Sequence, residues 1–257
     1  MSNEEVKLTN QQQRVLRLLF KFRFVSAGLL ALVMGIRRVS GYEVLENLVA
    51  KGLVTKVYEN DYRIRGKPAY YYLSKSGVTT VRKIMDVKES VVHALYKNEE
   101  ASDEFIEHCL KLTGLYSAIM SSLPDGSDIF TRTEINRFNQ FPKNRPDLYI
   151  RTSDGHEAIV ILVDDKPHYI VRKRLDEIIT HSEDEGWEGD YLRICFVVKD
   201  NAAKNSFLYT THKKLEGMGF DDNEIHILAA SLEATKGESR FIWSDAMAPK
   251  KSVTLIG

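Results

Sequence analysis

The chain has 257 residues, 43% of them hydrophobic and 28% charged, with 36 Lys/Arg matched by 36 Asp/Glu. That composition excludes a disordered or fibrous chain. Its longest apolar stretches, 28–36 and 159–163, are too short to span a bilayer, which takes roughly 20 residues. The start "MSNEEVKL" lacks the basic residues and apolar run of a secretory signal. Two cysteines, Cys109 and Cys195, exclude a disulfide framework and suit a reducing cytoplasm, so a cytoplasmic location is expected.

The zero net charge conceals an asymmetry. Residues 1–85 hold 15 Lys/Arg against 6 Asp/Glu, and residues 86–257 hold 21 against 30. An anion-binding module joined to an acidic one has this signature.

In chain order, Thr9 with Gln12 three residues on forms a capping box, and Val15, Leu18, Leu19 and Phe22 recur at helical spacing. Ser26 caps a short second helix, "AGLLALVM", which Gly35 ends. Ser40 is placed to cap a third, "GYEVLENLVAKG", with Val44, Leu45 and Leu48 facing inward and Gly52 as the stop. Three short helices with tight connections predict a helix-turn-helix core. Next come two apolar runs, one around Leu53, Val54 and Val57, the other Tyr70–Leu73. They flank "DYRIRGKP", a hairpin tip with turn chemistry at Gly66 and Pro68. A helix capped by Ser74 or Ser76 follows. The whole reads as a winged helix for double-stranded DNA. Its third helix would enter the major groove, with Arg37, Arg38, Ser40 and Tyr42 at the contacting end. Arg63, Arg65 and Lys67 would lie along phosphates or in the minor groove.

Residues 86–101, with the polar run "KNEEASDE", read as a linker or hinge with some helix, between a domain at 1–85 and a second at 102–230. The second domain is expected to hold a helix from 102 to about 122, and strands at about 128–134, 147–152 and 157–164. A charged helix at about 167–185, a buried strand "YLRICFVVK", a helix near 203–217 and a last strand "EIHILAA" follow. Residues 231–257 read as an irregular C-terminal arm. The order αβββαβαβ is that of a restriction-endonuclease-like α/β core, so the fold class expected is α+β with a PD-(D/E)XK-type second domain.

"RPDLYIRTSDGHEAIVILVDDK" carries a Pro-Asp pair and a downstream Asp-x-Lys. A metal-dependent nuclease needs two carboxylates a strand apart to hold Mg²⁺, and a lysine to orient the attacking water. Asp147, Asp164 and Lys166 supply those types, with Asp147 and Asp164 as metal ligands and Glu104 or Glu107 as an extra carboxylate. Against this, Pro167 stops the strand directly after Lys166, and the spacing is a loose pattern. The expectation is a retained fold without catalysis, needing no metal or other cofactor. No P-loop, GxGxxG or GxSxG stands in the sequence.

The segments "LTNQQQRVLRLL", "VLENLVAKGLVTK" and "GKPAYYYLSKSG", followed by "RPDLYI", resemble the replication-relaxation family over roughly residues 8–200. That family includes relaxosome accessory proteins of mobilisable and conjugative plasmids, a winged helix fused to an endonuclease-like domain. Where the family has a Glu-x-Asp element, this chain reads "VILVDDK", without the glutamate. The resemblance implies a DNA-binding accessory factor in plasmid mobilisation, conjugation or replication. Its acidic domain would dock a relaxase, a coupling protein or a second copy of the chain. The alternatives are a Mg²⁺-dependent endonuclease and a winged-helix transcription regulator.

Overall fold

The computed structural model describes the chain except residues 1–6, 60, 61, 63, 65, 137, 139, 164, 165, 167, 185–191, 220–225, 234–240, 250, 251, 256 and 257. Arg63, Arg65 and Asp164, singled out above, therefore lie outside the described residues. The fold is mixed α+β and divides into two compact units, Met1–Ser117 and Ala118–Gly257.

Unit 1 opens with α1 (Asn10–Phe22), whose N-terminus carries the reciprocal Thr9–Gln12 capping box. Strand β1 (Val25–Ser26) leads into α2 (Ala27–Met34), capped by Ser26 and ended by Gly35 in the left-handed conformation. Helix α3 (Arg38–Ala50) follows, then the hairpin β2 (Val54–Val57) and β3 (Tyr70–Leu73), then α4 (Lys75–Ile84), capped by Ser74. The sheet order is β1-β3-β2, all antiparallel, with Val25 opposite Tyr71 and Val54 opposite Leu73. A three-helix core with a hairpin is thus present, and β1 adds a third strand that the sequence did not signal.

One glycine fixes how closely α4 lies against the start of the hairpin. A Cβ on Gly77 would sit 2.0 Å from the Leu53 carbonyl oxygen and 3.3 Å from a Leu73 methyl. Gly77→Ala gains up to about 1 kcal/mol in helix propensity but forces backbone apart, a strain of about 1–3 kcal/mol or more. The expected outcome is net destabilisation, read as a lower urea midpoint with an unchanged m-value.

Residues 86–101 are not a linker. Helix α5 (Glu89–Tyr96) and a 3-10 turn (Lys97–Glu100) lead into α6 (Asp103–Met120), and the unit boundary falls near the end of α6 rather than before it. The reason is burial. Phe24, fully buried, packs with Tyr72, Ile106 and Cys109, and its ring meets Phe105 edge-on at 6.1 Å. Phe22 meets Tyr116 at 4.9 Å. Arg23 sits at φ 67, which costs a non-glycine residue about 1 kcal/mol or more. Its guanidinium compensates by donating to Asn98 Oδ1 at 2.8 Å and to the Ala94 carbonyl at 2.7 Å. Acids from this segment also pair with cations of the hairpin and α4: Glu107 with Lys67 (2.9 Å), Glu89 with Arg82 (2.8 Å) and Glu99 with Lys75 (3.9 Å). Redrawn at residue 117, unit 1 holds 18 Lys/Arg against 13 Asp/Glu, and unit 2 holds 18 against 23. The asymmetry persists but is smaller than the sequence division implied.

Unit 2 is built on a seven-stranded sheet. Its elements are β4 (Asp128–Thr131), a single helical turn α7 (Arg132–Ile135), β5 (Leu148–Arg151), β6 (Glu157–Leu162), α8 (His168–Asp184), β7 (Leu192–Val198), α9 (Asn201–Met218), β8 (His226–Ser231), β9 (Trp243–Asp245) and β10 (Ser252–Val253). The spatial order is β10-β9-β8-β7-β6-β5-β4. Strands β4, β5 and β6 form an antiparallel meander, whereas β6, β7 and β8 run parallel, with α8 and α9 as the crossovers. Side chains of Tyr149, Ile159, Ile194 and Phe196 pack with Leu175, Ile178, Leu208 and Leu215 from those helices. Cys195 is buried in β7, where desolvation pushes its thiol well above the usual value, as suits an inert core thiol.

Two expectations need correction here. The helix placed first in the second domain, α6, belongs to unit 1 as far as Ser117. The C-terminal arm is not irregular: β9 and β10 extend the sheet, Trp243 is fully buried, and Ala246 N–H donates to the Ile227 carbonyl at 2.9 Å.

Candidate nucleic-acid interface

Helix α3 starts earlier than its sequence suggested. Arg37, in extended conformation, is the N-cap residue and supplies no side-chain cap; Ser40 lies inside the first turn. The left-handed turn at Gly35 and the extended backbone of Arg37 set this start, so the serine arrives too late to cap. The consequence is an N-terminus whose first-turn N–H groups have no side-chain acceptor from the N-cap, an arrangement suited to phosphate.

Arg37 and Arg38 are exposed at that end, and neither makes an ion pair among the described residues. Val39 and Tyr42, 66% and 46% exposed, continue the same outer surface. Gly41 brings α2 and α3 close: a Cβ there would lie 3.0 Å from the Ala27 carbonyl and 3.2 Å from the Ala31 methyl.

A second group fixes the hairpin to the outer side of α3. Glu46 accepts from Lys56 Nζ at 2.8 Å and from the Tyr71 hydroxyl at 2.9 Å, and Lys56 lies 5.2 Å from the Tyr42 ring centroid. Burial acts to raise the Glu46 carboxyl, but the hydrogen bonds from Lys56 and Tyr71 outweigh it and hold the group below its ordinary value. The bond to Glu46 raises the Lys56 ammonium. A carboxylate depressed on folding adds stability that is present above its unfolded pKa and lost as pH falls through the folded one. Glu46→Gln should therefore flatten the acid limb of the stability curve, measured by urea titrations at stepped pH. Sequence reading missed Glu46 and Lys56, because nothing in a helix-strand-strand pattern says which side chains meet.

The cations of the hairpin tip divide. Lys67 pairs with Glu107 of α6, so it is held against its own domain, while Arg63 and Arg65 lie outside the described residues.

In unit 2, Asp147 is only 1% exposed. Its N–H donates to the Val160 carbonyl at 2.9 Å, and its Oδ2 accepts from Leu162 N–H at 2.8 Å. The same oxygen faces Arg174 Nη2 at 3.7 Å, and that nitrogen also donates to the Arg145 carbonyl at 2.8 Å. Burial lowers the affinity of Arg174 for its proton, and Asp147 works against that shift. Asp147 thus ties β5 to the end of β6 and neutralises a largely buried arginine.

Next to it, Tyr149 is fully buried among Phe130, Phe138 and Phe141. Its hydroxyl donates to Glu157 and accepts from Arg151 at 2.9 Å. Desolvation, reinforced by Glu157, pushes that hydroxyl up to about 12. Of the remaining nuclease candidates, Asp164 lies outside the described residues. Lys166 is exposed, Glu104 and Glu107 belong to unit 1, and Glu107 is paired with Lys67. No group of three His, Cys, Asp or Glu among the described residues is placed to hold a metal ion. One carboxylate oxygen of Asp147 is committed to a backbone N–H and faces an arginine.

No family model matches the chain, and no curated protein matches it. Among solved structures it is similar to TrmBL2, an archaeal chromatin protein whose structure shows a novel mode of DNA binding. Identity is 14%, over 93% of this chain and 77% of that one, with a TM-score of 0.25. A TM-score that low does not establish a shared fold. No helix among the described residues is long and apolar enough to cross a membrane.

Proposed function

We propose that this protein binds double-stranded DNA through unit 1, with the N-terminus of α3 as the phosphate-binding element. On this reading it serves as an accessory factor in a nucleoprotein complex for plasmid mobilisation, conjugation or replication. Unit 2 docks a relaxase, a coupling protein or a second copy of the chain. The plasmid role rests on the family resemblance of the sequence segments quoted above; the DNA-binding role rests on chemistry.

One observation carries it. Lys56, Lys67, Lys75 and Arg82 each face a carboxylate. Arg37 and Arg38, by contrast, have no acidic partner among the described residues and stand beside uncapped N–H groups. Arginines and free N–H groups converging on one helix end favour a phosphate, and Tyr42 stands about one turn further on for base or sugar contact.

The test is a salt series of fluorescence-anisotropy titrations with duplex DNA, comparing wild type and the Arg37→Ala, Arg38→Ala double variant. Affinity should fall, and the slope of log K against log salt should become shallower by about 0.9 for each phosphate no longer neutralised. A variant with unchanged affinity and slope would place the DNA elsewhere on the protein or remove it altogether.

A further inference from the structure

The side of α3 turned away from the core differs in chemistry from the helix end. Gly41, Val44, Leu45 and Leu48 are its buried residues. At about 100° per residue, the side opposite them carries Val39, Glu43 and Ala50, with Asn47 one turn beyond Glu43. All four are exposed. Glu46 shares that side but is already engaged by Lys56 and Tyr71. None of these residues is a lysine or arginine, so the strip is not built for phosphate. The Glu43 carboxylate has no partner among the described residues. The Asn47 amide is held one way round. Its Nδ2 donates to the Glu43 backbone carbonyl at 3.0 Å, a bond only the nitrogen can make, and Oδ1 is the end left over. The strip therefore presents a carboxylate and an amide oxygen, two acceptors one helical turn apart.

We infer that Glu43 and Asn47 read base edges in the major groove. Glu43 takes the N4 amino group of a cytosine, and Asn47 Oδ1 takes the amino group of a nearby cytosine or adenine. The inference rests on the DNA-binding reading of unit 1 and adds a sequence preference to it. A free carboxylate brought among phosphates is repelled unless it meets a donor. In the major groove the base-edge donors are the amino groups of cytosine and adenine, whereas guanine and thymine offer acceptors. Adenine sets its N7 acceptor beside its amino group, which a carboxylate avoids, so Glu43 selects cytosine. Four residues of helix rise about 6 Å. With α3 lying along the groove, the two contacts fall within about two base pairs of each other.

Exchanging carboxylate for amide supplies the test, because glutamine carries both a donor and an acceptor and pairs with adenine N6 and N7. Duplexes bound by the full-length protein are enriched from a randomised pool, separately for wild type, Glu43→Gln and Asn47→Ala. Each protein is then titrated on the wild-type duplex and its single-base-pair variants across a salt series. Wild type should select cytosine at one position and an amino-bearing base within about two pairs of it. Replacing that C·G pair should weaken wild-type binding roughly five- to a hundredfold. Glu43→Gln should shift the choice there to adenine, and Asn47→Ala should lose discrimination at the second position alone. Neither side chain neutralises a phosphate, so the three proteins should share one salt slope. An unchanged base preference in either variant overturns the role of that residue, and Glu43 is then a solvated charge whose removal tightens all sequences alike. Duplex binding by wild type without base preference overturns the inference and leaves the DNA-binding reading standing. No duplex binding by wild type at low salt overturns that reading and the inference with it.

Discussion

Asp147→Ala should lower the stability of unit 2 by about 3–5 kcal/mol, the usual cost of removing one member of a buried ion pair. The substitution strips an acceptor from Leu162 N–H and takes from Arg174 its larger carboxylate partner, leaving only the weaker influence of Glu177. Arg174 Nε already lacks a hydrogen-bond partner, so the side chain has little else to satisfy it. Asp147→Asn keeps an acceptor for the backbone but not the charge, and should fall between wild type and the alanine variant. Arg174→Met in the Asp147→Asn background should recover part of the loss, because both charges are then gone. Chemical denaturation of the four proteins measures all of this. The same series decides between a structural and a metal-binding carboxylate. A site that held Mg²⁺ would be stabilised by it. We expect wild-type denaturation curves with and without Mg²⁺ to coincide, and neither Mg²⁺ nor Mn²⁺ to support nicking of supercoiled plasmid. Metal-dependent nicking by wild type that Asp147→Ala abolishes would make this protein an endonuclease.

How much of this was legible in the sequence depends on the range of the interaction concerned. The Thr9–Gln12 box, the Ser26 cap, the Gly35 stop and the Ser74 cap were readable, because each is settled within three or four residues of chain. The order of strands and long helices from β4 to β8 was readable from apolar periodicity, but the single turn α7 was not, its residues being read as the end of a strand at 128–134. Ser40 misled because it has the right chemistry in the wrong place: the turn at Gly35 had already started α3. Strands β1, β9 and β10, two or three residues each, are too short to carry an alternating pattern. The polar run 97–104 looked like a break because its partners are far away in sequence. Asn98 meets Arg23 across 75 residues, and Glu99 meets Lys75. Pro146-Asp147 matched a catalytic pattern, which gave no sign that one oxygen of the carboxylate accepts from a backbone N–H fifteen residues away. No motif distinguishes those two uses.

The domain boundary yields the other large effect. A fragment ending at residue 85 keeps every element of the three-helix core and hairpin, and by sequence alone it should fold and bind duplex DNA. The structure predicts otherwise. Without α5 and α6, Phe22 is stripped of Tyr116, and Phe24 of Phe105, Ile106 and Cys109. Tyr72 is also uncovered. Arg23 would remain at positive φ with Asn98 and the Ala94 carbonyl gone. Re-exposing each aromatic side chain costs about 2 kcal/mol, and the three together consume much of the roughly 5–15 kcal/mol margin of a typical domain. Fragment 1–117 should therefore melt cooperatively and bind duplex DNA with a salt slope like that of the whole chain. Fragment 1–85 should lack a cooperative transition, and its binding should weaken because the end of α3 is no longer held in place. Circular-dichroism melts and anisotropy titrations of the two fragments check this. Equal melting of both would mean that α5 and α6 merely lie on a domain already complete at residue 85, and that the acids pairing with Lys67, Lys75 and Arg82 contribute little to its stability.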